Sequence, residues 1–211
     1  MRSKSFLNRN GVTLIELMVA LVICGIVIGA IYRLFVAQTR AYTVQDQVAE
    51  VQQSVRGAME ILVRDLRMAG CETLAVPIVT PVQSDSITVN YQQSQVTYSQ
   101  VGTNLERTLT LNGVVQPNQP EIILPNMPPP PNGFILTYGI DADGNGMVDD
   151  QNGNGVVDPG DYVAAGAVGA NKVISIRVQL SGNPSPSSPD AAAQVSPRRL
   201  DTVVTLRNLL P

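Results

Sequence analysis

Residues 11–37 read Gly11-Val12-Thr13-Leu14-Ile15-Glu16-Leu17-Met18-Val19-Ala20-Leu21-Val22-Ile23-Cys24-Gly25-Ile26-Val27-Ile28-Gly29-Ala30-Ile31-Tyr32-Arg33-Leu34-Phe35-Val36-Ala37. No charged side chain lies between Leu17 and Tyr32. With residues 12–15 added, the apolar length approaches the roughly 20 residues that carry a helix across a bilayer. The ten residues before Gly11 hold Arg2, Lys4 and Arg9 and no acid, and such a basic flank stays on the cytoplasmic side. An ordinary secretory signal puts its cleavage site after the apolar run; here the expected processing point lies before it. Glu16 is the one acid near the start of the run. A carboxylate deep in lipid costs about 2.5–3.5 kcal/mol on insertion scales, so Glu16 either reaches water at the membrane edge or has a partner.

The helical pattern continues past the membrane-length run. Val44, Val48, Val51, Val55, Met59, Leu62, Leu66 and Ala69 recur every three or four residues, which draws one apolar stripe along a helix. Gln, Glu, Asp and Arg fill the positions between them. No proline interrupts residues 12–70, and Gly70 reads as a C-terminal cap. One helix over about 14–69 is expected, its second half amphipathic. Its stripe is either the face that packs on a sheet or a coiled-coil seam. Gly25 and Gly29 have the small-xxx-small spacing of close helix packing. The two cysteines, Cys24 and Cys71, would lie roughly 70 Å apart on such a helix, which excludes a disulfide within the chain.

After Gly70 the periodicity changes. Short strand-like runs cover 86–91, 95–99, 107–111, 114–115, 121–124, 133–139, 172–180 and 202–208. Several alternate apolar and polar residues, the signature of an antiparallel sheet covered on one face. Asn112-Gly113 between Thr-Leu-Thr-Leu and Val-Val signals a two-residue hairpin. Pro125 and residues 128–131 break the pattern, and the Ser-, Pro- and Ala-rich segment 181–197 reads as a long surface loop. The fold class is therefore α+β: a long N-terminal helix against an antiparallel β-sheet. With 211 residues and no domain-scale repeat, one globular domain plus appendages is expected. The net charge of −3 and the lack of a basic stretch argue against nucleic-acid contact. The chain has no histidine, Cys71 has no evident base beside it, and no nucleophile arrangement is visible, so an enzyme is not expected.

Residues 141–161 read DADGNGMVDDQNGNGVVDPGD and contain two copies of a nine-residue unit, beginning at Asp141 and Asp150. In the second copy Asp150, Asn152, Asn154, Asp158 and Asp161 fall at positions 1, 3, 5, 9 and 12 of an EF-hand-type loop, with Gly155 at the turn and the Val156 carbonyl at position 7. The first copy supplies Asp141, Asp143, Asn145 and Asp149 in the same phase, with Gly146 at the turn and Asn152 as a weaker twelfth position. Alternating hard oxygens suit Ca2+, which takes six to eight of them. With no flanking helix pair, one or two ions would sit in a loop site; the competing reading is a solvated Asx-rich turn cluster.

The segment from Gly11 to Leu17 resembles the class III signal of type IV pilins and type II secretion pseudopilins: a basic leader, then Gly, an apolar residue, Ser or Thr, Leu, an apolar residue and Glu. The resemblance implies cleavage between Gly11 and Val12 by a prepilin peptidase and methylation of the new terminus at Val12, where the family usually has Phe. Glu16 becomes the fifth mature residue, the family's assembly glutamate, paired in a filament core with the amine of an adjacent subunit. Residues 56–71, 95–98, 105–109, 138–143 and 203–208 are together similar to the PilW-type minor pilins, with J-type (GspJ-like) pseudopilins next. The resemblance implies a pilin fold: leader 1–11, a membrane and filament-core helix 12–37, and a periplasmic or extracellular domain 38–211, made of helix 38–70 and β-rich 71–211 with the acidic loop 141–161. It also implies an inner-membrane precursor that joins other minor and major pilins at the cell surface. Arg33 would then lie at the periplasmic boundary, where a neighbour's acid could pair with it. A pilus-tip adhesin that depends on calcium is the reading from another functional class.

Overall fold

The computed structural model describes residues 11–72, 76–185 and 195–206. The basic leader, the middle of the Ser/Pro segment and residues 207–208 of the last expected strand lie outside them. The chain divides into two compact units, Met1–Gln45 and Asp46–Pro211.

One helix, α1, runs from Leu14 to Met68, a residue short of the length read from the sequence. Its apolar N-terminal part contributes nothing to a core: an 18-residue window of mean hydropathy 2.8 is wholly unburied. Leu14, Leu21, Ile26 and Phe35 are all exposed. This part is long and apolar enough to cross a membrane, and Gly25 and Gly29 have open space around them. In the second part the stripe is buried from Val51 onward, at Val55, Ala58, Met59, Leu62 and Leu66. Val44 and Val48 are half-buried. The stripe is thus a core face. Past Met68 the amide of Gly70 donates to Asn90 O at 2.8 Å, carrying the chain from the helix to the first sheet.

The β-rich part forms two antiparallel sheets where the sequence suggested one. In the first, β1 (Ser86–Tyr91), β2 (Ser94–Val101) and β3 (Asn104–Leu111) are sequential hairpins, and both β4 (Val114–Val115) and β5 (Glu121–Leu124) pair with β3. In the second, β7 (Lys172–Gly182) lies between β6 (Phe134–Asp141) and β8 (Arg198–Thr205). The last strand begins four residues earlier than its sequence pattern suggested, and β7 runs two residues into the expected loop, so Leu180 faces Leu200 across the ladder. Asn112 and Gly113 make the hairpin turn with φ of 50° and 79°, the doubly positive pattern that Asn-Gly supplies.

The proline-rich break at 125–133 separates the sheets, and polar contacts tie them together. Gln100 of β2 is buried; its Oε1 accepts the Phe134 amide at 2.9 Å and its Nε2 donates to Pro128 O at 2.7 Å. The Tyr138 hydroxyl donates to Gln83 O at 2.6 Å. Apolar residues from α1 and both sheets share one core, with Leu62, Leu66, Val89, Val96, Leu105, Ile176 and Leu180 fully enclosed. A charged group sits inside it. Asp65, with no exposed surface, accepts from the Tyr98 hydroxyl at 2.6 Å and from Arg107 Nη2 at 2.9 Å. Both cysteines are free, Cys24 exposed and Cys71 half-buried.

Candidate functional site

At the start of α1, Thr13 is the residue before the first helical position and Glu16 is the third residue of the helix. The Thr13 amide donates to Glu16 Oε2 at 3.0 Å, and the Glu16 amide donates to Thr13 Oγ1 at 3.3 Å. The Thr13 hydroxyl also donates to Glu16 Oε2, at 3.0 Å. This reciprocal pair is a capping box, which satisfies amides that a helix start leaves open. The sequence reading assigned Glu16 an assembly role and missed the local one, although Thr-x-x-Glu before an apolar run is its signature. Gly11 and Val12 precede the helix and are exposed. Glu16 therefore lies within three residues of Thr13 and four of Val12, with its carboxylate held at the helix mouth and not along the apolar shaft.

The second candidate site is the acidic loop after β6. Both nine-residue copies fold alike. In each, the first aspartate accepts from the amides at positions 4 and 6: Asp141 from Gly144 at 2.7 Å and Gly146 at 3.0 Å, Asp150 from Gly153 at 2.7 Å and Gly155 at 2.5 Å. Position 3 accepts from the amide of position 5, and position 5 from that of position 7. These four glycines have φ between 72° and 82°, a conformation open to glycine at no steric cost. The sequence reading found the glycines at position 6; those at position 4 serve the same backbone.

The copies then diverge. Asp149 accepts from the Ala142 amide at 2.8 Å, and it joins Asp141 and Asp143 so that one carboxylate oxygen from each lies within 4.8 Å of the others. Oxygens bound to one Ca2+ at about 2.3–2.6 Å can stand up to about 5 Å apart, so these three residues fit a hard cation. In the second copy the acids turn to the protein. Asp161 is fully buried; its Oδ1 accepts from the Gln151 and Asn152 amides at 2.9 and 3.1 Å and its Oδ2 from the Asp158 amide at 2.7 Å. Asp158 takes the side-chain amides of Asn152 at 3.2 Å and Asn154 at 2.8 Å and caps the 3-10 turn Pro159–Asp161. The Asp150 carboxyl is held below its ordinary range, first by the Gly155 amide. Val156 is exposed and its amide donates to Asn154 Oδ1 at 2.8 Å. The second copy has the better loop sequence; the first brings one carboxylate oxygen from each of three aspartates within 4.8 Å of the others.

With this geometry in place, comparison with known proteins adds one match: the prokaryotic N-terminal methylation motif, over residues 7–32. It covers the capping box and the unburied apolar part of α1. No curated protein and no solved structure matches the chain. The motif supports a pilin-like or pseudopilin reading of a chain whose long apolar helix is followed by antiparallel sheets. The apolar helix and the motif fit membrane anchoring and assembly through the same segment.

Proposed function

We propose that the chain is a minor pilin of a type IV pilus, a non-enzymatic subunit of PilW type that primes or supports assembly of the filament for motility, adhesion or DNA uptake. The observation that carries the reading is an apolar helical segment with no core of its own, matched over residues 7–32 by the methylation motif and opened by Thr13 and Glu16. Prepilin peptidase cuts after Gly11, the Val12 amine is methylated, and a single-pass inner-membrane precursor becomes a pilus subunit at the cell surface. Leaving lipid, the apolar face of residues 14–37 packs on the same segment of other minor and major pilins. A buried carboxylate there needs a cation, and the methylated amine of a neighbour supplies it to Glu16. Asp141, Asp143 and Asp149 hold Ca2+, which neutralises a cluster of like charge and stiffens the loop; Asp150, Asn152, Asn154, Val156, Asp158 and Asp161 offer a second, weaker place.

The test is mass spectrometry of the mature protein from its own membrane. The expected first residue is N-methylated Val12; an intact Met1, or an end within the apolar helix, overturns the reading. Affinity capture of the full chain separates the pilus from the alternative machine: co-purifying minor pilins support it, and secretion pseudopilins replace it with a J-type role.

A further inference from the structure

Within Asp46–Pro211, α1 and β8 border a groove of about 430 Å3 floored by Met59, Val63, Met68 and Leu200. Arg56, Arg64 and Arg67 rim it, with Glu60 the one acid among its lining residues. The Arg64 side chain is 66% exposed. Arg56 and Leu200 also border an adjoining hollow with Arg198 and Arg199. An apolar floor inside a guanidinium rim, on a chain of net charge −3, selects an occupant that is apolar at its tip and acidic around it.

The chain carries such a tip. The loop 141–161 has six aspartates and no basic residue. From it project Met147 and Val156, 65% and 64% exposed. Both occupy the seventh position of their repeat units, each two residues before an aspartate, Asp149 or Asp158. No residue of the loop is among those that line the groove. Asp141 pairs with Lys172 at one end of β7 and Leu200 pairs with Leu180 near the other. Eight residues of strand, about 27 Å, separate the start of the loop from Leu200, while its far end returns to β7, where Arg177 Nη1 donates to Pro159 O at 3.3 Å.

We propose that a second copy of this chain seats the 141–161 loop in the groove. The surfaces are different patches, so the contact is heterologous: every added copy presents a free loop at one end and a free groove at the other. One divalent ion in the loop leaves it acidic and does not remove the match. The inference stands on these two surfaces and is independent of the membrane half of α1.

The test uses the full chain in detergent micelles with Cys24→Ser and Cys71→Ser. Copies with Met147→Cys are mixed with differently tagged copies bearing Val63→Cys and oxidised. The mixed disulfide is expected at several-fold the yield obtained when Val115→Cys, an exposed apolar position on β4, replaces Val63→Cys. Arg64→Glu with Arg67→Glu in the groove copy should cut that yield several-fold. So should raising sodium chloride from 50 to 500 mM, which needs no further variant. Equal yields at positions 63 and 115, a yield insensitive to salt, or a disulfide closing within one chain that carries both cysteines each overturn the proposal. Val12 methylation, read on the same samples, reports separately on the pilin reading.

Discussion

The Tyr98 hydroxyl donates to Asp65 at 2.6 Å in the protein interior, joining β2 to the buried face of α1. Arg107 of β3 closes the triangle, its Nε 3.0 Å from Asp65 and 3.1 Å from the Tyr98 oxygen. An aspartate on an apolar stripe is tolerable only with such partners, so these three residues fix how the helix meets the first sheet.

Removing the acid leaves the largely buried Arg107 guanidinium without its main counter-charge. Asp65→Ala should lower the unfolding free energy by about 3–5 kcal/mol, and Tyr98→Phe by about 1.5–3 kcal/mol. Asp65→Leu combined with Arg107→Met should cost less than the two single changes added together. Urea titrations of the detergent-solubilised chain, followed by circular dichroism, measure this; strict additivity would show that the triangle is not coupled.

Burial raises the Tyr98 phenol well above its ordinary range, with the Asp65 hydrogen bond acting in the same direction, and burial likewise raises Tyr138. The folded state therefore keeps these phenols neutral while the unfolded chain ionises them near pH 10. Their contribution is fully present below pH 10 and declines above it. Stability should fall between pH 10 and 11.5, and the fall should be shallower in Tyr138→Phe. A flat profile over that range contradicts the assignment.

Two glycines with open space at the added methyl should respond in opposite directions. Gly57 is helical and exposed within α1, and Gly113 sits in the hairpin turn at φ +79°. Gly57→Ala should stabilise by about 0.5–1 kcal/mol through the unfolded chain. Gly113→Ala should destabilise by about 1–2 kcal/mol, the strain of an L residue in the left-handed region. Thermal melts of the two variants side by side decide it.

For the acidic loop, calcium should raise the melting temperature relative to chelator. Asp143 is exposed and its carboxylate engages Asn145, so Asp143→Asn should abolish the calcium response while leaving the chelated melt nearly unchanged. Asp161→Ala should lower the melt even in chelator, because it strands three backbone amides. An intact calcium response in Asp143→Asn removes that residue from the site.

What could be read from the sequence was local. The unbroken apolar run set the helix, the three-and-four spacing from Val51 to Leu66 set its buried face, Asn112-Gly113 set a turn, and the Asx-Gly repeat set its own backbone. Each depends on neighbours within a few residues, where steric and hydrogen-bonding rules act without knowledge of the rest of the chain. The Thr13–Glu16 box belongs to the same local class. The tertiary structure decided the rest. Asp65 stands three residues after Leu62 on the stripe, but nothing nearby in the chain announces Tyr98 and Arg107, which lie 33 and 42 residues away. The division into two sheets follows from pairing choices among strands, and those free energies depend on long-range burial. The loop acids diverged for the same reason: the repeat gave both copies one backbone and turned both leading aspartates to backbone amides, while the surrounding chain brought Asp149 up to Asp141 and Asp143 and buried Asp161.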